Sequence, residues 1–222
     1  MPVGLFGKYP GKRDFLALNL PRGVADVIEP WLQKAVAISR ERLGRRWQDY
    51  YFIHPIWNFR LGAGITGSDC IGALMPSVDG VGRCFPLCIL AHAPAGTAFP
   101  LHGDIPGEWT SDLHARLLSA LSEDEVPDPE SLLAGLGDPP PAAMPEGMIK
   151  FAGGYALTGE GGEDGDLSAR FAAAEGFAAA RGRALFWTEG GQYVPPRILS
   201  FAGMPDPALY TMMMGGTGDG DA

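Results

Sequence analysis

Histidine and cysteine are scarce in this chain, with four and three respectively among 222 residues. His54, His92, His102 and His114 follow no ligand spacing, and no His-Glu-x-x-His occurs, so no metal site is expected. Cys84 and Cys88 stand four apart in an apolar run. On a strand they share one face ~13 Å apart, too far to reach one zinc ion. An odd number of cysteines inside apolar segments predicts reduced core thiols and a cytoplasmic chain. No run approaches the ~20 apolar residues of a spanning helix. The N-terminus has no cationic stretch followed by an apolar one. Neither membrane insertion nor export is expected.

Catalytic signatures are missing too. There is no Gly-x-Ser-x-Gly elbow, and Ser77 with Asp79 and a remote histidine makes a triad only if geometry brings them together. Gly62-Ala63-Gly64-Ile65-Thr66-Gly67 has dinucleotide-loop spacing. The residues after it read as a strand rather than the helix that would receive a pyrophosphate, so a hairpin turn is expected. Gly7 to Lys12 lacks the first glycine of a phosphate loop, and Arg13 stands where the magnesium-binding hydroxyl belongs. The acids near Asp164 lack EF-hand spacing. No catalytic residue, cofactor or metal is therefore assigned. The alternative kept open is a small-ligand sensor or enzyme using the Ser77–Arg83 loop.

Net charge is -9, with 46% apolar and 19% charged residues, ordinary for a globular chain with a real core. Residues 1–100 carry 11 Lys+Arg against 7 Asp+Glu, whereas residues 101–222 carry 6 against 19. That balance argues against nucleic-acid binding, which draws its affinity from clustered cations. It suits an electrostatically guided protein contact through the basic half.

What the chain does have is a shaped loop. Met75-Pro76-Ser77-Val78-Asp79-Gly80-Val81-Gly82-Arg83-Cys84-Phe85-Pro86-Leu87 lies between two apolar runs that read as buried strands. Prolines fix φ and glycines permit positive φ, so Ser77, Asp79 and Arg83 are expected in a defined geometry. Two arrangements are open. Asp79 and Arg83 form an inward pair, and replacing Arg83 costs roughly 3–5 kcal/mol. Or they join Lys8, Lys12 and Arg13 on a basic rim, and it costs ~0–1 kcal/mol.

Elsewhere, apolar residues at helical spacing from Val24 to Leu43 predict a helix that starts near Val24, or at Pro30 because proline stresses a helix interior. Another helical turn or two is expected over 47–53. Strands over 57–61, 70–75 and 84–91, too close for parallel crossovers, predict antiparallel pairing. A helix over Thr110–Ser122, N-capped by Thr110 or Ser111, presents Leu113, Leu117, Leu118 and Leu121. Residues 123–147 form a Pro/acid-rich crossing with a short helix over 130–136. A strand over 148–157, a Gly-rich loop over 159–166, an Ala-rich helix over 167–181 and strands over 184–187 and 197–201 follow. A helix over 205–214, with Leu209, Met212 and Met213 as its apolar face, closes the fold. The fold class is α/β, a mostly antiparallel central sheet with helices on its faces (α+β). One domain is expected over 1–214 (1–105, the crossing, then 148–214), followed by a disordered tail over 215–222.

The loop's Met-Pro-Ser-Val-Asp-x-Val-Gly-Arg-x-Phe-Pro-Leu resembles the signature of the TagF (ImpM) family of type VI secretion accessory proteins. Gly4-Leu5-Phe6-Gly7-Lys8-Tyr9-Pro10 with Asp14-Phe15, Pro55-Ile56-Trp57-Asn58-Phe59, and Gly203-Met204-Pro205 are similar to further family segments. The resemblance is dense over residues 4–91 and sparse afterwards. Many members carry Arg-Gly-Asp-Phe where this chain has Lys12-Arg13-Asp14-Phe15. It implies a longin-like arrangement in the N-terminal part. It also implies a non-catalytic post-translational repressor of type VI secretion that binds the system's forkhead-associated scaffold protein, in connection with its kinase/phosphatase pathway. Lys8, Lys12, Arg13, Asp14, Ser77, Asp79 and Arg83 are the candidate contact or signature-loop residues.

Overall fold

Short apolar segments between turn residues become strands here, and the computed structural model shows how they join. It describes residues 2–94, 97–100, 105–122, 126–139, 141–142, 148–151, 154–157 and 164–216. In chain order the strands are β1 (Val3–Lys8), β2 (Phe15–Leu18), β3 (Trp57–Leu61), β4 (Cys70–Met75), β5 (Leu87–His92), β6 (Met148–Phe151), β7 (Gly154–Leu157), β8 (Arg183–Thr188) and β9 (Arg197–Ala202). Seven of them form one sheet, ordered β2-β1-β5-β4-β3-β8-β9, in which all neighbours are antiparallel. β6 and β7 pair separately. Short links between β3, β4 and β5 allow only this direction of pairing.

Strand alternation sends successive side chains to two cores. Phe6, Trp57, Phe59, Leu61, Leu74, Cys88, Leu90 and Phe186 face one core. It is covered by α1 (Arg22–Leu43), α2 (Trp47–Tyr51) and the short closing helix α7 (Leu209–Met213). Leu5, Ile71, Ala73, Met75, Leu87, Ile89, Leu185 and Trp187 face the other, beneath α4 (Gly107–Ser119) and α5 (Pro129–Leu133). The remaining helices are α3 (Ala63–Thr66) and α6 (Asp164–Ala180). The class is α+β, with helices on both faces of an antiparallel sheet.

Several expectations are corrected. α1 runs through Pro30, beginning at Arg22. Proline removes one backbone bond on the exposed side, while burial of Val24, Ile28, Trp31, Leu32, Ala35 and Val36 holds both halves in line. α4 starts at Gly107, capped by Pro106 rather than by Thr110 or Ser111. Of the four leucines expected on it, Leu113 and Leu117 are buried; Leu118 is exposed, and Leu121, also exposed, lies beyond the helix's end. Cys84 precedes β5 and makes an isolated bridge with Val78. Residues 62–67 do lie in a hairpin connection between β3 and β4, as expected, with the single helical turn α3 inside it. The single strand expected over 148–157 is a hairpin, and the helix expected over 205–214 shrinks to α7. Gly215 and Gly216 pack closely beside Tyr193 and Leu43 respectively. His102, residues 123–125 and 143–147 of the crossing, residues 158–163 and the tail from 217 lie outside the described residues.

Candidate functional site

The link from β4 to β5 is a small hairpin of its own. The amide of Asp79 donates to the Arg83 carbonyl (3.1 Å), that of Gly82 to the Asp79 carbonyl (2.9 Å), and that of Phe85 to the Ser77 carbonyl (3.0 Å). Gly82 takes φ 83° at the turn, a conformation that costs glycine little. This hairpin leans on the N-terminal loop, because the Gly80 amide donates to the Lys12 carbonyl (2.8 Å). Gly7 marks the closest approach: φ is 127°, and a Cβ there would stand 2.0 Å from the Pro86 carbonyl oxygen. No other residue fits.

Asp79 is the hub. Its side chain is fully buried, and its Oδ1 accepts the amides of Val81 (3.0 Å) and Arg83 (2.9 Å). Oδ2 accepts Lys8 Nζ and Arg83 Nε, each at 2.6 Å. Burial by itself would raise this carboxyl; the Lys8 ammonium, the two amides and the Arg83 guanidinium outweigh it and hold the group well below the usual carboxylate range. Arg83 reaches on to the Arg13 carbonyl (2.7 Å) with its side chain 61% exposed. The outcome is therefore mixed: Asp79 and Lys8 turn inward, and Arg83 spans from the hub to the surface. Asp79 would keep Lys8 and two amides without Arg83, so the 3–5 kcal/mol expected for an abandoned carboxylate does not apply.

The other candidates divide in the same way. Ser77 is buried; the Tyr51 hydroxyl donates to its carbonyl (2.8 Å) and accepts its amide (3.0 Å). Its own hydroxyl makes only a long contact with the Val78 carbonyl (3.4 Å). Lys12, Arg13 and Asp14 are exposed, and Lys12 approaches Asp128 at 3.5 Å. Phe6, Phe15 and Phe85 meet edge-on with centroids 4.7–6.3 Å apart. This trio brings β1, the Asp14-Phe15 pair and the hairpin to one place.

Sequence reasoning missed the supports behind the loop. Tyr51 stacks on Trp47 at 4.4 Å. His54 Nδ1 donates to the Pro55 carbonyl and Nε2 accepts the Tyr210 hydroxyl, both at 2.8 Å, which defines the neutral tautomer. Burial lowers its pKa to about 4. On the opposite core Arg60, 1% exposed, donates to Asp69 (2.6 Å), Ala180 (3.0 Å) and Phe99 (3.2 Å). The only hint was a charged residue amid the β3 alternation. A cleft of about 750 Å³ between α4 and the β8–β9 side holds His114, whose Nε2 is 2.7 Å from Asn58 Oδ1. Among the described residues its ring makes no hydrogen bond to a serine or cysteine, and Ser77 does not line the cleft. Among the described residues no cluster of His, Cys, Asp or Glu is arranged to hold a metal ion, and no helix is long and apolar enough to cross a membrane.

The fold recurs among known proteins. The chain is similar to the crystal structure of PA0076 from Pseudomonas aeruginosa PAO1, with 26% identity over 99% of this chain and 96% of that one, and a TM-score of 0.80. No match to a curated protein was found. The family described as TagF N-terminal domain, type VI secretion system-associated, matches residues 4–136, which include the whole signature hairpin and its N-terminal support. With more than half of its length matched in this way, the chain belongs to the TagF family of type VI secretion system-associated proteins.

Proposed function

We propose that this chain is a non-catalytic, post-translational repressor of type VI secretion that works by binding the system's forkhead-associated scaffold protein, and so meets its kinase/phosphatase pathway at that scaffold. The observation that supports this reading is how the signature hairpin is organised. Its acceptors and inward donors are satisfied by one another around Asp79, so it offers a fixed outer shape rather than a reactive group. Outward stand the Arg83 guanidinium, Val81 (56% exposed), Lys12 and Arg13. A rigid loop with exposed cations and an apolar tip suits recognition of an acidic partner surface.

The test is a binding titration of purified chain against the scaffold from the same secretion system. Lys12→Ala with Arg13→Ala weakens binding by roughly five- to tenfold and reduces its salt dependence, with an unchanged melting temperature. A double variant that binds the scaffold like the wild type removes this loop from the mechanism. A wild-type chain that does not bind the scaffold removes the reading itself.

A further inference from the structure

Among the described residues, three of the exposed large apolar side chains gather beside α2. Phe52 (52% exposed) and Ile53 (37%) directly follow α2, and Tyr193 (49%) stands on the β8–β9 connection. That connection lies over the α2–β3 link: a Cβ on Gly191 would stand 3.3 Å from Pro55 Cβ. Tyr193 meets Tyr50 with ring centroids 5.3 Å apart, and the Arg46 guanidinium lies 5.0 Å over the Tyr50 ring. Exposed Arg42 and Arg45 precede it in a chain whose net charge is -9. Aromatic side chains rimmed by arginines are the types that dominate binding energy at protein interfaces.

This surface continues toward the signature hairpin. Arg40 lies 4.3 Å over the Trp47 ring and beside the Cys84 thiol. Trp47 stacks on Tyr51, whose hydroxyl holds Ser77. The exposed cations Arg83, Arg40, Arg45 and Arg46 therefore belong to one side of the first core, with the tyrosine pair beyond them.

We infer that the Tyr50–Phe52–Ile53–Tyr193 surface with its arginine rim is a docking site for an acidic segment of a partner protein, one that seats an apolar or aromatic side chain among these rings. Charge complementarity selects this occupant: the rim sets exposed Arg40, Arg42, Arg45 and Arg46 against exposed Glu41 and Asp49 and so stays net cationic, and the exposed rings provide apolar area that carboxylates alone do not use. The inference rests on the reading that the chain acts by protein binding, and it extends the contact beyond the signature hairpin.

Two measurements decide it. In the scaffold titration, Phe52→Ser with Tyr193→Ser, and separately Arg45→Glu with Arg46→Glu, each weaken binding about tenfold or more while Lys12→Ala with Arg13→Ala has its own smaller effect. The arginine pair is exposed, so its variant folds even if removal of Tyr193 loosens the loop over Gly215. Patch variants that bind like the wild type, when the wild type binds, overturn the inference and leave the proposed function standing. The second measurement needs no scaffold. A short synthetic peptide of glutamates around one phenylalanine is titrated into isotope-labelled chain and followed by NMR. Shifts at Phe52, Ile53, Tyr193 and the arginine rim, lost when the peptide's phenylalanine is replaced by serine, support the site. Shifts absent there, or found elsewhere, overturn it. So does a dimer abolished by Tyr193→Ser, which makes a second copy the occupant. Asp219→Asn with Asp221→Asn that moves the resonances of Phe52, Ile53 and Tyr193 in the chain without peptide overturns it as well, by assigning the surface to the chain's own acidic tail.

Discussion

Asp69 and Asp79 flank the same strand, neither carboxylate touches solvent, and each contacts a cation at 2.6 Å, but Asp79 lies just beneath the surface and Asp69 deeper in the core. Their chemistry is nevertheless opposite. Asp79 has two cations and two amides for its two oxygens, and is held strongly ionised. Asp69 has one guanidinium on Oδ2, and among the described residues its Oδ1 has no hydrogen-bond partner. Burial prevails there and pushes its carboxyl up to about 6 against the pull of Arg60, the Phe99 amide and Arg181. Depth of burial and the number of donors that replace lost water, more than the presence of an ion pair, together decide how such a carboxylate behaves. The well-served carboxylate shapes a loop at the surface; the poorly served one is locked in the core.

The largest effect is expected at the poorly served pair. Arg60→Met leaves Asp69 without its paired guanidinium and the carbonyls of Phe99 and Ala180 without the Arg60 donor. Breaking a buried pair from one side costs roughly 3–5 kcal/mol, which lowers the melting temperature by about 10 °C. Circular dichroism melts at pH 7 check it. A loss below about 1 kcal/mol would place Asp69 and Arg60 with surface pairs and remove the contrast.

Next comes pH. The raised pKa of Asp69 gives stability that is fully present below its unfolded value near 3.8 and is lost as pH rises through about 6. His54 works the other way. Its pKa falls from 6.5 to about 4, so its contribution is present above 6.5 and is lost as pH falls through 4. Each amounts to about 2–3 kcal/mol between pH 6.5 and 4, so in the wild type the two largely cancel. Asp79, already ionised, loses stability only as pH falls below 3.8. His54→Gln removes the opposing slope, and chemical denaturation should show the variant gaining on the wild type as pH drops from 6.5 to 4. A stability difference that stays constant over that range would mean that His54 takes up its proton in the fold.

How much of this was legible in the sequence follows from the range of the interactions. β3, β4 and their antiparallel pairing were, because apolar alternation and short links are local properties. The fixed shape of the 75–87 loop was too, since Pro76, Gly80, Gly82 and Pro86 act on their own backbone. The partners of Asp79 were only half legible. Arg83 is four residues away, but Lys8 arrives through the pairing of β1 with β5. The helix through Pro30 was obscured because a local penalty is outweighed by packing against β3 and β8, seen in Trp31 stacked on Phe186 at 5.7 Å. Asp69 with Arg60, and Tyr210 with His54, come together only through the fold. The arginine-rimmed aromatic surface needs the β8–β9 connection to lie over α2, and no local pattern announces that.

The smallest and most discriminating effect lies within the Asp79 hub. Lys8 and Arg83 both stand 2.6 Å from Oδ2, but the Lys8 side chain is 14% exposed and that of Arg83 is 61% exposed. Water screens Arg83, and its main-chain amide still donates to Oδ1 after the side chain is cut back. Lys8→Met removes the cation shielded from solvent, and is expected to lower the melting temperature by about 3–5 °C. Arg83→Ala should lower it by only about 1–2 °C, an effect that fades in 1 M salt while the Lys8 effect persists. Paired melts of the two variants at low and high salt separate these outcomes. If Arg83→Ala is the more damaging of the two, its bond to the Arg13 carbonyl holds the N-terminal loop in place, and the exposed guanidinium is a structural strut instead of a contact for a partner.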